Sequence, residues 1–375
     1  MPFACRLAPR QPTEPPISSV WSETVTTICQ QSLQTGQLSF PASPLDPATR
    51  NPMPLGIVGF VGDSSCASTA DITGDVVCAY ASSGKLMGIR FNIFNGTIYP
   101  IQDLGMMDAL IPGCTNGSER FTVTGPATRE GPAGATVCAV PAGTNLVGIA
   151  FNPATGYLKN QTIGSGIVAD SEPSCSNSND GKNQVLCVYR RGGSIRSIAF
   201  DPRTSPQFAT AEQAPYPGVD FGQLGHPSCS SPNDGSGNLL CGTNAEGIIY
   251  GFALDPRSGY ASSLVTVAAS TSFTGSTSCS GEGKSTVVPN GVICTIGARD
   301  PSATDPNSTE IFGLIFDPRT RSGVGSIAVG PLTIGDPTGQ MSEMSCTFEN
   351  GNPDQIACGG ITASQGELVV DLFMR

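Results

Sequence analysis

Fourteen cysteines and one histidine set the chemistry open to this 375-residue chain. The cysteines fall into seven successive pairs: Cys5 with Cys29, Cys66 with Cys78, Cys114 with Cys138, Cys175 with Cys187, Cys229 with Cys241, Cys279 with Cys294 and Cys346 with Cys358. Four pairs are 12 positions apart, a separation that suits two antiparallel strands joined by a polar loop. Directly opposed strand positions bring Cβ atoms to the ~3.5 to 4.5 Å that a disulfide needs. The spacing therefore predicts seven disulfides, each inside one repeat, with buried free thiols as the competing reading. Zinc fits poorly, because no CxxC or HxxxH spacing occurs and paired sulfurs alone make half a tetrahedral site.

Other constellations are thinner. His226 precedes Pro227 at a repeat boundary, where a lone imidazole reads as structural. Ser178-Asn-Asp-Gly181 and Asn233-Asp-Gly235 lack the spacing and the aromatic of a sialidase-type motif, and read as tight turns. Asp71-Ile-Thr-Gly-Asp75 has oxygens at alternating positions, as a calcium loop would, but the other repeats lack its paired carboxylates. Thirty acidic residues scattered over loops designate no glycosidase pair. No catalytic residue, cofactor or metal ligand is assigned, and a non-enzymatic protein is expected.

The elements that position these residues form a repeat. Ile195-Arg-Ser-Ile-Ala-Phe-Asp-Pro-Arg-Thr-Ser205 recurs at 146–156, 248–259 and 311–320, and more weakly at 86–92. Its period-two alternation is that of a half-buried strand. Asp-Pro-Arg-Thr is turn chemistry, so Arg203, Arg257 and Arg319 read as turn residues paired with local carboxylates or carbonyls. From first cysteine to first cysteine the repeats are 61, 48, 61, 54, 50 and 67 positions apart. A period near 50 with four strands per unit is that of a propeller blade.

The predicted fold is thus all-β: one seven-bladed β-propeller domain over 1–375, with repeats at about 1–62, 63–112, 113–172, 173–226, 227–277, 278–344 and 345–375. Each blade should have four antiparallel strands and one disulfide, the fourth strand being less apolar, as at 97–102 or 264–268. The last repeat supplies only three strands, ending at 367–373. Its open edge is expected either to be covered by a loop or to accept a strand from a partner, such as another copy.

Composition narrows the function classes. A net charge of −11 gives no basic footprint for nucleic acid. No run approaches the ~18 apolar residues of a membrane helix, and residues 1–10 lack the apolar core of a signal peptide. Disulfides imply an oxidising compartment, hence a secreted, extracellular protein. Sequons at Asn95, Asn116, Asn160 and Asn307 fit a glycoprotein.

The Pro-Ser-Cys openings at 173–175 and 227–229, the polar loop, Val-x-Cys and Ile-x-Phe-Asp-Pro-Arg together resemble the bacterial PLL-like seven-bladed β-propeller lectins. That resemblance implies a secreted or surface-associated protein that binds sugars between blades, largely through aromatics and above all Trp. The chain's one Trp, Trp21, lies in the first repeat's insertion, so no sugar-site residue is carried over. The expected function is a carbohydrate-binding or adhesion propeller with an extracellular ligand such as a glycan. The alternative is a structural subunit of an extracellular assembly, self-associating at the last blade. Loops at 7–22, 115–135 and 299–308 are the longest insertions and the first places to seek function.

Overall fold

The computed structural model describes residues 30–32, 37–39, 60–68, 75–82, 84–92, 97–107, 112–116, 128–129, 135–166, 172–178, 180–182, 184–221, 226–232, 234–270, 273–281, 291–299, 309–320, 322–327, 341–349, 352–362 and 368–374. All regular structure in them is β. Six antiparallel sheets of three or more strands follow one another along these residues.

Sheet I runs Phe60–Ser68, Asp75–Ser82, Lys85–Asn92 and Gln102–Met107, each strand beside the one before. Sheet II has Gly113–Asn116, Thr136–Ala142, Asn145–Asn152 and Tyr157–Ser165. Sheet III has Ser174–Asn177, Val185–Arg191, Ser194–Asp201 and the short Phe208–Ala209. Sheet IV has Ser228–Ser230, Leu239–Ala245 and Ile248–Asp255, with Tyr260–Ala261 and Val265–Ala269 both pairing with the third strand. Sheet V has Phe273–Gly281, Val292–Arg299, Thr309–Asp317 and Ser322–Ile327. Sheet VI has Met341–Glu349, Asn352–Thr362 and Leu368–Met374. A hairpin of Gln30–Ser32 and Gln37–Ser39 precedes sheet I.

Each sheet's first strand lies against the first strand of the next, and the early hairpin lies against Phe60–Ser68. Up-and-down sheets stacked face to face through their first strands are the arrangement of a β-propeller.

The core lies between consecutive sheets. Leu86 and Leu104 of sheet I pack with Ile149 and Phe151 of sheet II, and Leu146 and Ile163 of sheet II pack with Ile198 and Phe200 of sheet III. The phenylalanine of each Phe-Asn/Asp-Pro run is seated on a glycine of the preceding sheet. A Cβ added at Gly88 would stand 2.6 Å from the Phe151 ring, at Gly148 2.5 Å from Phe200, and at Gly251 2.5 Å from Phe316. The glycine is therefore a hole for the next sheet's ring. In sheet III the same strand position is Ser197, and there sheet IV supplies Leu254 in place of the ring.

First strands are tied by serine. The amides of Cys114, Cys229 and Cys279 donate to the hydroxyls of Ser65, Ser174 and Ser228 in the sheet before, at 2.9, 2.9 and 2.8 Å. Sheet II has Gly113 at this place, because a Cβ there would lie 1.8 Å from the Pro173 carbonyl.

Four disulfides join first and second strands at directly opposed positions: Cys114–Cys138, Cys175–Cys187, Cys229–Cys241 and Cys279–Cys294, with Cα atoms 4.0 to 4.2 Å apart. Cys78 is also disulfide-bonded and stands opposite Cys66 in the register. Cys346 and Cys358 are likewise opposed. The first expected disulfide has no counterpart among these, because Cys5 and Cys29 both lie outside the described residues. Cys29 is the residue just before the hairpin strand Gln30–Ser32. Trp21, residues 55–59 and positions 71–74 of the calcium-type loop also fall outside them.

Two strand expectations are corrected. The fourth strand of sheet I is Gln102–Met107 and not 97–102, where Ile98 makes a lone bridge to Phe91; Pro100 has no N–H to give a ladder. The sequence predicts a first repeat that runs to about 62 with a last strand near 55–61, but residues 60–61 open sheet I.

Candidate functional site

In each described sheet the first-to-second loop and the third-to-fourth turn emerge at one end of the strands, the turn end. The second-to-third hairpins emerge at the other, the hairpin end. Polar chemistry differs between them.

At the turn end the Asp-Pro-Arg turns close on themselves, as expected. Arg203, Arg257 and Arg319 each donate a backbone N–H and Nε to Oδ1 of the aspartate two residues before. What sequence reasoning missed is where two of the guanidinium groups go next. Arg257 Nη1 donates to Asp180 Oδ2 at 2.6 Å, in the first loop of sheet III, and Arg319 Nη1 donates to Asp234 Oδ2, in the first loop of sheet IV. Each is a latch from one sheet to the sheet before. Asn179 and Asn233 lie outside the described residues, but the aspartate after each divides its oxygens. Asp180 Oδ1 accepts from Ser178 Oγ and Lys182 N, Asp234 Oδ1 accepts from Ser236 N, and the Oδ2 atoms are left for arginine. The signal lay in the sequence as a pairing between repeats: Asp-Pro-Arg turns at 255–257 and 317–319 each follow a repeat with Asn-Asp-Gly.

Both latches are nearly dry, with side chains 10% to 16% exposed. Burial alone would raise the Asp180 carboxyl, but hydrogen bonds from Ser178 and Arg257 outweigh it and hold the group below the usual carboxylate range. Asp234 is lowered in the same way by Ser236 and Arg319.

The hairpin end is built around sheet III and residues 210–221, which leave the short outer strand and fold back. Ser197 and Gln213 exchange both backbone bonds, and the Phe221 amide donates to Gly193 O. Tyr216 packs edge-on to Phe221 and Phe252, and its hydroxyl donates to Ser262 O at 2.9 Å. Burial pushes the Tyr216 phenol up to about 12. The fold-back carries Glu212 over the face of sheet III that meets sheet II. There the Tyr189 hydroxyl donates to Glu212 Oε1 at 2.7 Å, and Arg191 Nη1 donates to Oε2 at 2.8 Å. Arg191 Nη2 also reaches the Gly166 carbonyl of sheet II at 3.1 Å. Burial first, then the bond to Glu212, raises the Tyr189 phenol, so this hydroxyl is a donor and not a base. Arg196 stands opposite Tyr189 in the register, and its Nε is buried with no acceptor.

His226 opens sheet IV beside Arg190 of sheet III. Burial, then the Arg190 charge, lowers its pKa, and its Nδ1 is buried without a partner. The imidazole is neutral at physiological pH. Among the described residues no group of three or more His, Cys, Asp or Glu is placed to hold a metal ion.

Of the sequons, Asn160 is exposed on the outer strand of sheet II, with Thr162 exposed two residues on. Asn116 lies on the first strand of that sheet, and Asn95 and Asn307 fall outside the described residues.

No protein-family model matches the chain, and no curated protein matches it. Solved structures do. A putative 6-phosphogluconolactonase from Bacteroides uniformis is 13% identical over 93% of this chain and 95% of its own, with a TM-score of 0.45. The Dos1 propeller is 11% identical over 84% and 72%, with a TM-score of 0.48. The Cps50 (Swd1) β-propeller domain of Myceliophteria thermophila is 10% identical over 96% and 100%, with a TM-score of 0.45. The chain is similar to these in outline, and no activity is transferred from any of them.

Proposed function

We propose that the chain is a secreted, seven-bladed β-propeller that works as a non-enzymatic binding and adhesion module for extracellular glycans. The observation that carries this is the cystine at the buried first two strands of successive sheets, four times over in register. Such bonds persist in an oxidising compartment. A stapled, latched ring is a scaffold whose loops and clefts are free to present a ligand site. The early hairpin at 30–39 is read as part of the first blade, which with the six sheets makes seven. Cys5 with Cys29, Cys66 with Cys78, and Cys346 with Cys358 are read as the remaining disulfides. Intact mass of protein from its natural source, before and after reduction, should differ by the hydrogens of seven disulfides. The same protein, labelled and passed over a glycan array, should give saccharide hits. Free thiols would end the secretion argument, and an array without hits would end the glycan reading.

A second reading, a subunit of an extracellular assembly, is favoured by sheet VI. Its strand Leu368–Met374 pairs on one side only among the described residues. Light scattering of the natural protein tests it: a monomer at all concentrations would remove this reading.

A further inference from the structure

The three Asp-Pro-Arg turns show what this molecule places on the Nε side of a guanidinium. Nε donates to aspartate Oδ1 at 2.9, 2.8 and 3.0 Å in Arg203, Arg257 and Arg319, while Nη2 donates to Oδ2 at 3.1, 3.2 and 2.9 Å. Each is a side-on fork holding one carboxylate, the geometry that suits a planar guanidinium. Arg196 offers the same side with nothing on it, since its Nε is buried and donates to no acceptor. An orphaned donor on a cation is costly unless some state of the protein supplies an acceptor.

Glu212, held by the Tyr189 that stands opposite Arg196, does not supply it. Glu212 has both oxygens engaged, one by Tyr189 and one by Arg191. The surroundings are polar and reachable: Thr144 and Ser165 are exposed at the hairpin end of sheet II, next to the Gly166 carbonyl that Arg191 holds. Arg196 as a whole is only half-buried, so a turn of its guanidinium brings the Nε edge to an arriving ligand.

We propose that the Nε edge of Arg196, at the hairpin end of sheet III on its face toward sheet II, is a carboxylate subsite for an acidic sugar, a hexuronic acid unit of a glycan. The assignment rests on the glycan-binding reading and narrows it to acidic saccharides. The guanidinium takes the carboxylate in a side-on fork, Arg191 offsets the charge of Glu212, and the hydroxyl side chains at the rim meet the sugar's hydroxyls.

The test is calorimetric titration of the full protein with sodium glucuronate, glucose and acetate at millimolar concentration, repeated with Arg196→Gln and Arg196→Lys. Glucuronate should bind at least tenfold more tightly than either glucose or acetate. Arg196→Gln should lose that tenfold, and Arg196→Lys, which keeps the charge without the fork, should lose most of it. Melting temperatures show that the variants are folded, and the lysine variant serves if the glutamine one is not. No glucuronate binding, equal binding of glucose, or unchanged binding in a folded variant overturns the subsite. Acetate bound as tightly as glucuronate overturns the sugar assignment. Neutral saccharides bound equally by wild type and variant would overturn the subsite while leaving the glycan reading standing.

Discussion

The two ends of the strands use the same residue types to opposite effect. At the turn end, Arg257 and Arg319 commit their guanidinium nitrogens to two aspartates each, and the latches hold sheet III to IV and sheet IV to V. At the hairpin end, Arg196 Nε, His226 Nδ1 and Thr243 Oγ1 are buried without partners. Breaking a satisfied buried ion pair is costly because it strands the charge left behind, whereas unsatisfied polar groups cost stability and persist where a site needs them. The difference lies in the donors: the aspartate latches fasten sheets at the turn end, where the unpartnered buried atoms among the described residues are the Gln102 and Gln184 oxygens, whereas unpartnered buried donors stand at the hairpin end.

The largest test of that contrast is Arg257→Ala. It strands Asp180 and Asp255, whose side chains are 11% and 13% exposed, and leaves the Gly237 carbonyl without its donor. Unpairing buried charges of this kind costs about 3 to 5 kcal/mol. Denaturant unfolding should show a loss in that range, and a loss below about 1 kcal/mol would mean that the latch fastens nothing.

Next in size is Gly148→Ala. The new methyl would meet the fully buried Phe200 ring at 2.5 Å, and overpacking of this kind costs about 1 to 3 kcal/mol. The substitution sits between the two ends and so measures packing without the latch. Adding Phe200→Leu, the side chain that Leu254 places opposite the non-glycine position Ser197, should recover part of the loss. Strict additivity of the two changes would break the ring-in-hole account.

Much of this frame is legible in the sequence. Alternation in Ile195–Asp201 and its relatives marks third strands, and the 12-residue cysteine spacing places opposed positions on first and second strands. The Asp-Pro-Arg turns are also readable, because their bonding is local. What escapes is contact between repeats. The reach of Arg257 to Asp180 spans 77 positions, and nothing in either loop alone states it. Residues 210–221 lie outside the repeated strand motif, yet carry Tyr216 and Phe221 into the core between sheets III and IV. Arg196 reads as the outward residue of an alternating strand. Its half-burial arises only because sheet II stands against that face and Glu212 folds over it.

Asp180→Asn gives the contrast a pH axis. The asparagine keeps the shape of the turn but removes the charge, at a cost of about 2 kcal/mol near neutrality. The carboxyl is held below its ordinary value in the folded protein, so its contribution is fully present above about pH 4 and is lost as pH falls through the lowered value. The gap between wild type and variant should therefore be constant from about pH 5 to 8 and close below about pH 4. A gap that stays open at about pH 2 would show that the asparagine had disturbed packing and not charge.

The smallest effect belongs to the hairpin end and has the reverse sign. His226 is held neutral in the folded state by burial and by Arg190, with a pKa below 6.5. In the unfolded chain the same imidazole takes up a proton as pH falls through about 6.5. Between that value and the lowered one the unfolded state binds more protons, so stability falls with falling pH, by at most about 1.4 kcal/mol per pH unit from this group. His226→Gln removes the titration and should leave stability within about 0.5 kcal/mol of wild type above about pH 7. Below about pH 6 the variant should become the more stable of the two, a crossing that no latch variant at the turn end should show. Parallel stability curves from about pH 5 to 8 would mean that the imidazole meets the proton equally in both states, and the hairpin end would then lose one of its unpartnered groups.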